Sequence, residues 1–201
     1  MRTVAEIVEP CASCGFWDSS PARPQPTQGS GGRAAKRTWL ASVEQEWGSP
    51  GWSVHVDDHV AGHLILVPAH LVPRALAFPT APVSEDALVL VAARIATPYA
   101  GQGLGRVLLQ TAARQTLSRG YRAIEAIASR AGDPCLLPAD YLEAVGFHAV
   151  REHASFPRMR LDLRTALAWR EDIEHALERL LAPVRRLGEV PTGTATRGDQ
   201  P

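Results

Sequence analysis

The densest chemical signal in the chain is Pro98-Tyr99-Ala100-Gly101-Gln102-Gly103-Leu104-Gly105-Arg106. Glycines at alternate positions let the chain turn without Cβ clashes. Successive backbone N–H groups can then converge where a helix begins and its dipole favours an anion. The chemistry this predicts is a pyrophosphate cradle made by Gly101, Gln102, Gly103, Leu104, Gly105 and Arg106. A dinucleotide fingerprint does not fit, because Arg106 stands where Gly-x-Gly-x-x-Gly, counted from Gly101, needs its third glycine. Nor does a P-loop, since the glycines precede no Gly-Lys-Ser/Thr. An ordinary glycine-rich turn reads the same way locally, so the flanking elements decide.

Three other features invite chemistry. Glu125 interrupts the apolar run from Ala123 to Ala128, a lone charge that reads as a functional carboxylate, a paired structural one or a solvated strand end. Cys11-x-x-Cys14 can chelate, but a structural zinc site needs four ligands and only Cys135 and scattered histidines remain. The expectation is therefore no metal, with the thiols packed beside Trp17. Cys135 follows Pro134 and has no evident base partner, so a packed loop thiol is the expectation there as well.

The elements that would position these residues follow from periodicity. Arg33 to Trp47 places Trp39, Leu40, Val43 and Trp47 on one helical face before Gly48-Ser49-Pro50 stops it. Trp52 to Val56 and Val60 to Val67 read as a hairpin turning at Asp57-Asp58-His59. Ala87 to Ala96 is apolar on both alternating faces except at Arg94, the pattern of a central strand covered on both sides. Leu104 to Arg119 is an amphipathic helix with Leu104, Val107, Leu108, Ala112 and Leu117 inward and Gly120 as its stop. Strands are predicted at Tyr121 to Ala128 and Arg158 to Leu163, a short helix at Pro138 to Val145, and a last helix at Thr165 to Leu181. That order is mixed α/β. The glycine turn thus lies between a buried strand and a helix, the context a phosphate cradle requires.

A chain of 201 residues with 45% hydrophobic and 21% charged residues fits one soluble domain with a real core. The domain is expected over 1–185, with a mobile Pro/Gly/Ser-rich loop at 19–32 and a disordered tail at 186–201. Lys+Arg 21 against Asp+Glu 21 leaves no net charge, so there is no electrostatic footprint for nucleic acid. Neither a membrane span nor a secretory signal is expected, and an odd count of three cysteines suits a reducing, cytoplasmic setting.

With the cradle in this context, the sequence resembles the GNAT superfamily of acyl-CoA-dependent N-acetyltransferases. The resemblance rests on ARIATPYAGQGLGRVLL, on YLEAVGF at Tyr141 to Phe147, and on PRMRLDL at Pro157 to Leu163. In the family's Gln/Arg-x-x-Gly-x-Gly/Ala signature Gly103 and Gly105 match, while Ala100 replaces the usual Gln or Arg. The CxxC before Phe16-Trp17 is similar to an N-terminal feature of GNAT-like proteins from high-GC bacteria. The resemblance implies a mostly antiparallel central sheet flanked by helices, here with an extra C-terminal helix, and acetyl-CoA as co-substrate without a metal. It also implies a pantetheine chain lying between the strand ending at Ile95 and Ala96 and the strand at Ala126 to Ala128, with Ile95 or Ala96 donating backbone hydrogen bonds. The base candidates are then Glu125, Glu85 and Asp86. The family's acid tyrosine position holds Leu142; Tyr141 next to it is the side-chain candidate, but a one-residue step turns a helical side chain by about 100°, so it does not simply inherit the role, and water or no donor at all are the alternatives. The implied activity is acetyl transfer to the amine of a small-molecule or peptide acceptor by a monomer or homodimer. A non-catalytic acyl-CoA sensor and a protein-interaction module are the rivals.

Overall fold

The structure, a computed structural model, describes residues 2–3, 6–19 and 30–164. The chain divides into two units, Met1–Leu163 and Arg164–Pro201, and every element described belongs to the first. The expected helix over 165–181, the tail from 186 and residues 20–29 of the expected loop lie outside the described residues.

Helix α1 spans Ser30–Glu46, starting earlier than its periodicity predicts. Ser30, Gly31 and Gly32, expected in the loop, instead supply its first turn. Lys36, Leu40 and Val43, buried at successive turns, anchor the helix to the sheet and outweigh the weak propensity of glycine. Strands β2 (Gly51–Val56) and β3 (His59–Val67) form the expected antiparallel hairpin. Asp57 and Asp58 form its turn with φ of 47° and 60°, a two-residue geometry whose twist matches the strands.

Strand β4 (Ala87–Ile95) is central, as expected. Helix α2 (Leu104–Ser118) follows, then β5 (Ala123–Ser129), the two-residue β6 (Leu137–Pro138), α3 (Ala139–Ala144), β7 (His148–Arg151) and β8 (Arg158–Asp162). With β1 (Arg2–Thr3) at one edge, the strand order is β1-β2-β3-β4-β5-β8-β7. Every neighbouring pair along this path is antiparallel except β4 with β5. One face carries α1 and the residue 6–19 segment over Ile65, Val67, Val89, Val91 and Ile127. The other carries α2, which buries Leu108, Ala112, Ala113 and Thr116. Val107, expected inward, is 46% exposed, because the helix face turned to the sheet is centred on the row Leu108, Ala112 and Thr116.

Two local departures from ladder geometry shape the middle of the sheet. Ile65 pairs with Ala92 but Leu66 pairs with Leu90, so Val91 is an extra residue and β4 carries a bulge there. Consecutive Val91 and Ala92 accordingly both join the core on the α1 face. Parallel pairing of β4 with β5 runs only from Ala87–Ala123 to Val89–Glu125. Beyond that rung the strands part, and β6 pairs parallel with Ala128 and Ser129 of β5.

Candidate functional site

The gap between β4 and β5 is where the sequence features converge. Strand amides alternate in direction, and the Ala96 N–H points to β3, where it donates to the Ala61 carbonyl at 2.8 Å. Ala96 is therefore not a free donor, a correction to its expected role. The same alternation turns the amides of Ala93 and Ile95 away from β3 and into the gap. Of the two expected donors, Ile95 keeps the required direction, and Ala93 joins it. The periodicity of the strand shows neither fact, because both depend on its partner.

After β4 a single 3-10 turn at Thr97–Tyr99 leads to the glycine turn. Gly101 and Gly103 have φ of +78° and +77°, left-handed values that favour glycine. Gly103 is the N-cap of α2 and its carbonyl accepts from the amides of Arg106 at 3.1 Å and Val107 at 3.3 Å. The amides before Arg106 have no helical carbonyl to bond. Gly101, Gln102, Gly103 and Arg106 are exposed and Leu104 and Gly105 partly so. A Cβ added at Gly101 or Gly103 would meet no atom within 4 Å, so there is room above the turn for a ligand. The turn thus presents backbone amides at a helix start, where the helix dipole favours an anion, with Arg106 exposed beside it.

Tyr141 lies in α3 with its hydroxyl 3.4 Å from the position a Gly105 Cβ would take. It lines a small cavity with Leu90, Ala93, Gly105 and Leu142 on the α2 side of β4. Burial raises its pKa. Leu142, at the family's acid position, is fully buried. Both side chains line this cavity despite the rotation between neighbouring helix positions, and it is the Tyr141 hydroxyl that reaches Gly105.

Glu125 stands at the last rung before β4 and β5 part, and it is 0% exposed. Its carboxylate accepts from Arg160 Nη1 at 3.0 Å and from the Ser84 amide at 3.1 Å, and pairs with Arg158 Nη1 at 3.3 Å. Both oxygens are occupied, an environment different from that of a free base. Asp86 is held by a two-pronged Arg160 contact at 3.0 Å on each oxygen. Arg160's hydrogen bonds to it keep the Asp86 pKa low. Glu85 is exposed on the connection before β4. The sequence cue for Glu125, a lone charge in an apolar run, could not show that two arginines from β8 lie opposite it.

On the α1 face, a cavity of about 170 Å³ abuts the bulge. Val91, Ala92 and Ile65 form its floor, and Cys11, Cys14, Trp17, Lys36 and Cys135 are among its walls. Lys36 is 4% exposed and pairs with the buried Asp18 at 3.6 Å. Among the described residues no group of three or more His, Cys, Asp or Glu side chains is placed to hold a metal ion. Among them, too, no helix is long and apolar enough to cross a membrane.

No family model matches the sequence, and no curated protein matches it. Solved structures do. A candidate acetyltransferase of the GNAT family from Desulfovibrio desulfuricans is 19% identical, over 67% of this chain and 83% of that one, with a TM-score of 0.47. The PaiA N-acetyltransferase of Thermoplasma acidophilum, in complex with coenzyme A, is 12% identical over 65% and 72%, with a TM-score of 0.47. An N-acetyltransferase from Staphylococcus aureus is 14% identical over 64% and 76%, with a TM-score of 0.46. The order of elements, the parted parallel strands and the glycine turn at a helix start agree with the mixed, mostly antiparallel sheet flanked by helices expected from the sequence.

Proposed function

We propose that this chain binds acetyl-CoA, or another acyl-CoA, and transfers the acyl group to an amine. The observation that carries the reading is the parting of β4 from β5 after three paired residues. It leaves strand amides facing a gap whose mouth is the cradle. The amides before Arg106 hold the pyrophosphate, and those of Ala93 and Ile95 bond the pantetheine chain and the developing oxyanion. The thioester supplies the activated acyl group. The acceptor amine approaches from the cavity on the α1 face, next to the bulge at Val91. Because Glu125 and Asp86 are already engaged by arginines, the amine's proton leaves to water. The Tyr141 hydroxyl protonates the departing thiolate. Glu125 fixes β5 to β8 at the root of the gap. The chain works inside the cell, where acyl-CoA is found.

Thermal unfolding with ligand tests the cofactor site. At 100 times Kd, acetyl-CoA stabilises the native state by about 2.7 kcal/mol, a rise in Tm of roughly 5 to 10 °C. Adenosine gives far less. Gly103→Val forces a branched residue into a left-handed φ and places it under the phosphates, so it abolishes the shift. No shift with millimolar acetyl-CoA, or a full shift in Gly103→Val, overturns the reading. The engaged carboxylates together with Ala100 in place of Gln or Arg favour one second reading, an acyl-CoA sensor without turnover. Binding with no thiol release across a panel of amines and peptides supports it.

A further inference from the structure

The three cysteines are nucleophilic side chains that acyl transfer leaves unused, and the fold brings two of them into contact across 121 residues. Cys14 caps a single 3-10 turn at Cys11–Ser13, its N–H donating to the Cys11 carbonyl at 3.3 Å. Cys135 sits after Pro134. Its N–H donates to Asp133 Oδ1 at 2.8 Å, and its carbonyl accepts the Trp17 indole N–H at 3.1 Å. These two anchored turns place the sulfur atoms 3.4 Å apart, in the wall of the cavity beside the bulge. Both residues are only partly buried. We propose that Cys14 and Cys135 form a redox-active dithiol that exchanges with a small-molecule disulfide admitted to this cavity, Cys14 attacking and Cys135 resolving.

The surroundings make the two sulfurs unequal. Cys14 receives the Phe16 N–H and the field of Lys36, whereas Cys135 lies near the Asp133 carboxylate. Either sulfur can donate in this contact, and these neighbours favour the proton on Cys135, which then donates to Cys14. That hydrogen bond is the main cause lowering the Cys14 pKa to about 6 and raising that of Cys135. A thiolate at neutral pH is the attacking species in exchange. Cys11, whose pKa burial raises, is a bystander. Cavity size selects a small disulfide with compact arms, since Pro10 and Pro134 line it over the floor of Val91 and Ala92.

In the first step Cys14 sulfur bonds one sulfur of R–S–S–R, that bond breaks, and RS⁻ leaves to take a proton from solvent. In the second, Cys135 releases its proton to solvent and attacks the Cys14 sulfur, forming the Cys14–Cys135 disulfide and expelling the second RS⁻, which is protonated. Two protein thiols are oxidised and one disulfide is reduced to two thiols. The pair stands whether or not the chain transfers acyl groups.

The test treats the fully reduced full-length protein with 2-hydroxyethyl disulfide at pH 7, followed by intact mass and non-reducing peptide mapping. The wild type loses two hydrogens, carries no adduct, and yields a peptide joining Cys14 to Cys135. Cys135→Ser stops at one hydroxyethylthio adduct on Cys14. Cys14→Ser labels Cys135 about tenfold or more slowly than that, since no thiolate is poised there. Cys11→Ser behaves as the wild type. Stable wild-type adducts without a crosslink, a Cys11–Cys14 link, or Cys135 labelling in Cys14→Ser as fast as Cys14 labelling in Cys135→Ser overturn the proposal. The wild-type map decides the pairing even if a variant fails to fold.

Discussion

A tyrosine can donate a proton only while it holds one, and the burial that raises the Tyr141 pKa keeps it protonated through neutral pH and beyond. Tyr141→Phe removes that donor and keeps the ring packed beside Gly105. It should lower kcat by roughly 10- to 100-fold with acyl-CoA affinity unchanged, read as free thiol release and as a thermal shift. An unchanged kcat would leave the leaving thiolate to water. Glu125 poses the opposite case, a carboxylate whose oxygens are already taken by Arg158, Arg160 and the Ser84 amide. Glu125→Gln leaves half-buried guanidinium charge less compensated, although Arg160 keeps Asp86 and Asp162. The expected outcome is a stability loss of about 2 to 4 kcal/mol in denaturant titration, with no loss of kcat beyond what unfolding explains. A folded, stable variant with kcat down by about 10²-fold would instead make Glu125 the base.

At the scale of elements, the residue 6–19 segment is fastened to β3 by the Val8 amide, which donates to His63 Nδ1 at 3.1 Å. His63 is 0% exposed. Burial, then the charges of Arg94 and Lys36, hold its pKa down from 6.5 to about 4. The unfolded chain therefore binds a proton that the folded chain refuses between these values. The stability from His63 is fully present above pH 6.5 and falls through the window down to pH 4, by about 3 kcal/mol in all. Urea titrations at several pH values should show this slope, and His63→Gln should flatten it; an equal slope in the variant assigns the pH dependence to other groups. The elements that could be read from sequence are those with a strong period. The β-rich run of Val60 to Val67, the two-sided apolar run of Ala87–Ile95 and the stripe of Leu104–Ser118 each announce themselves. The two-residue strands β1 and β6 are too short to carry a period. The bulge at Val91 is a relation between β3 and β4, so no single segment contains it. The bond from Ala96 to Ala61 is of the same kind.

Across the whole molecule, the glycine turn was legible because its glycines are close together in sequence and lie between a strand and a helix. The partners of Glu125 and of Cys14 were not, since Arg158, Arg160 and Cys135 reach them from distant segments. A parted pair of strands has a further consequence for the order of events. The glycine turn and Tyr141 lie on the α2 side of β4, while the cavity with Lys36 opens on the α1 side. One strand is thus a wall shared by two doorways. On the proposed reading neither ligand has to leave for the other to enter, which predicts that both occupy the protein at once and that transfer is direct. Initial rates measured over a grid of both substrates should give intersecting double-reciprocal lines, with desulfo-CoA competing against acetyl-CoA but not against the acceptor. Parallel lines would mean that the acyl group rests on the protein between two separate visits.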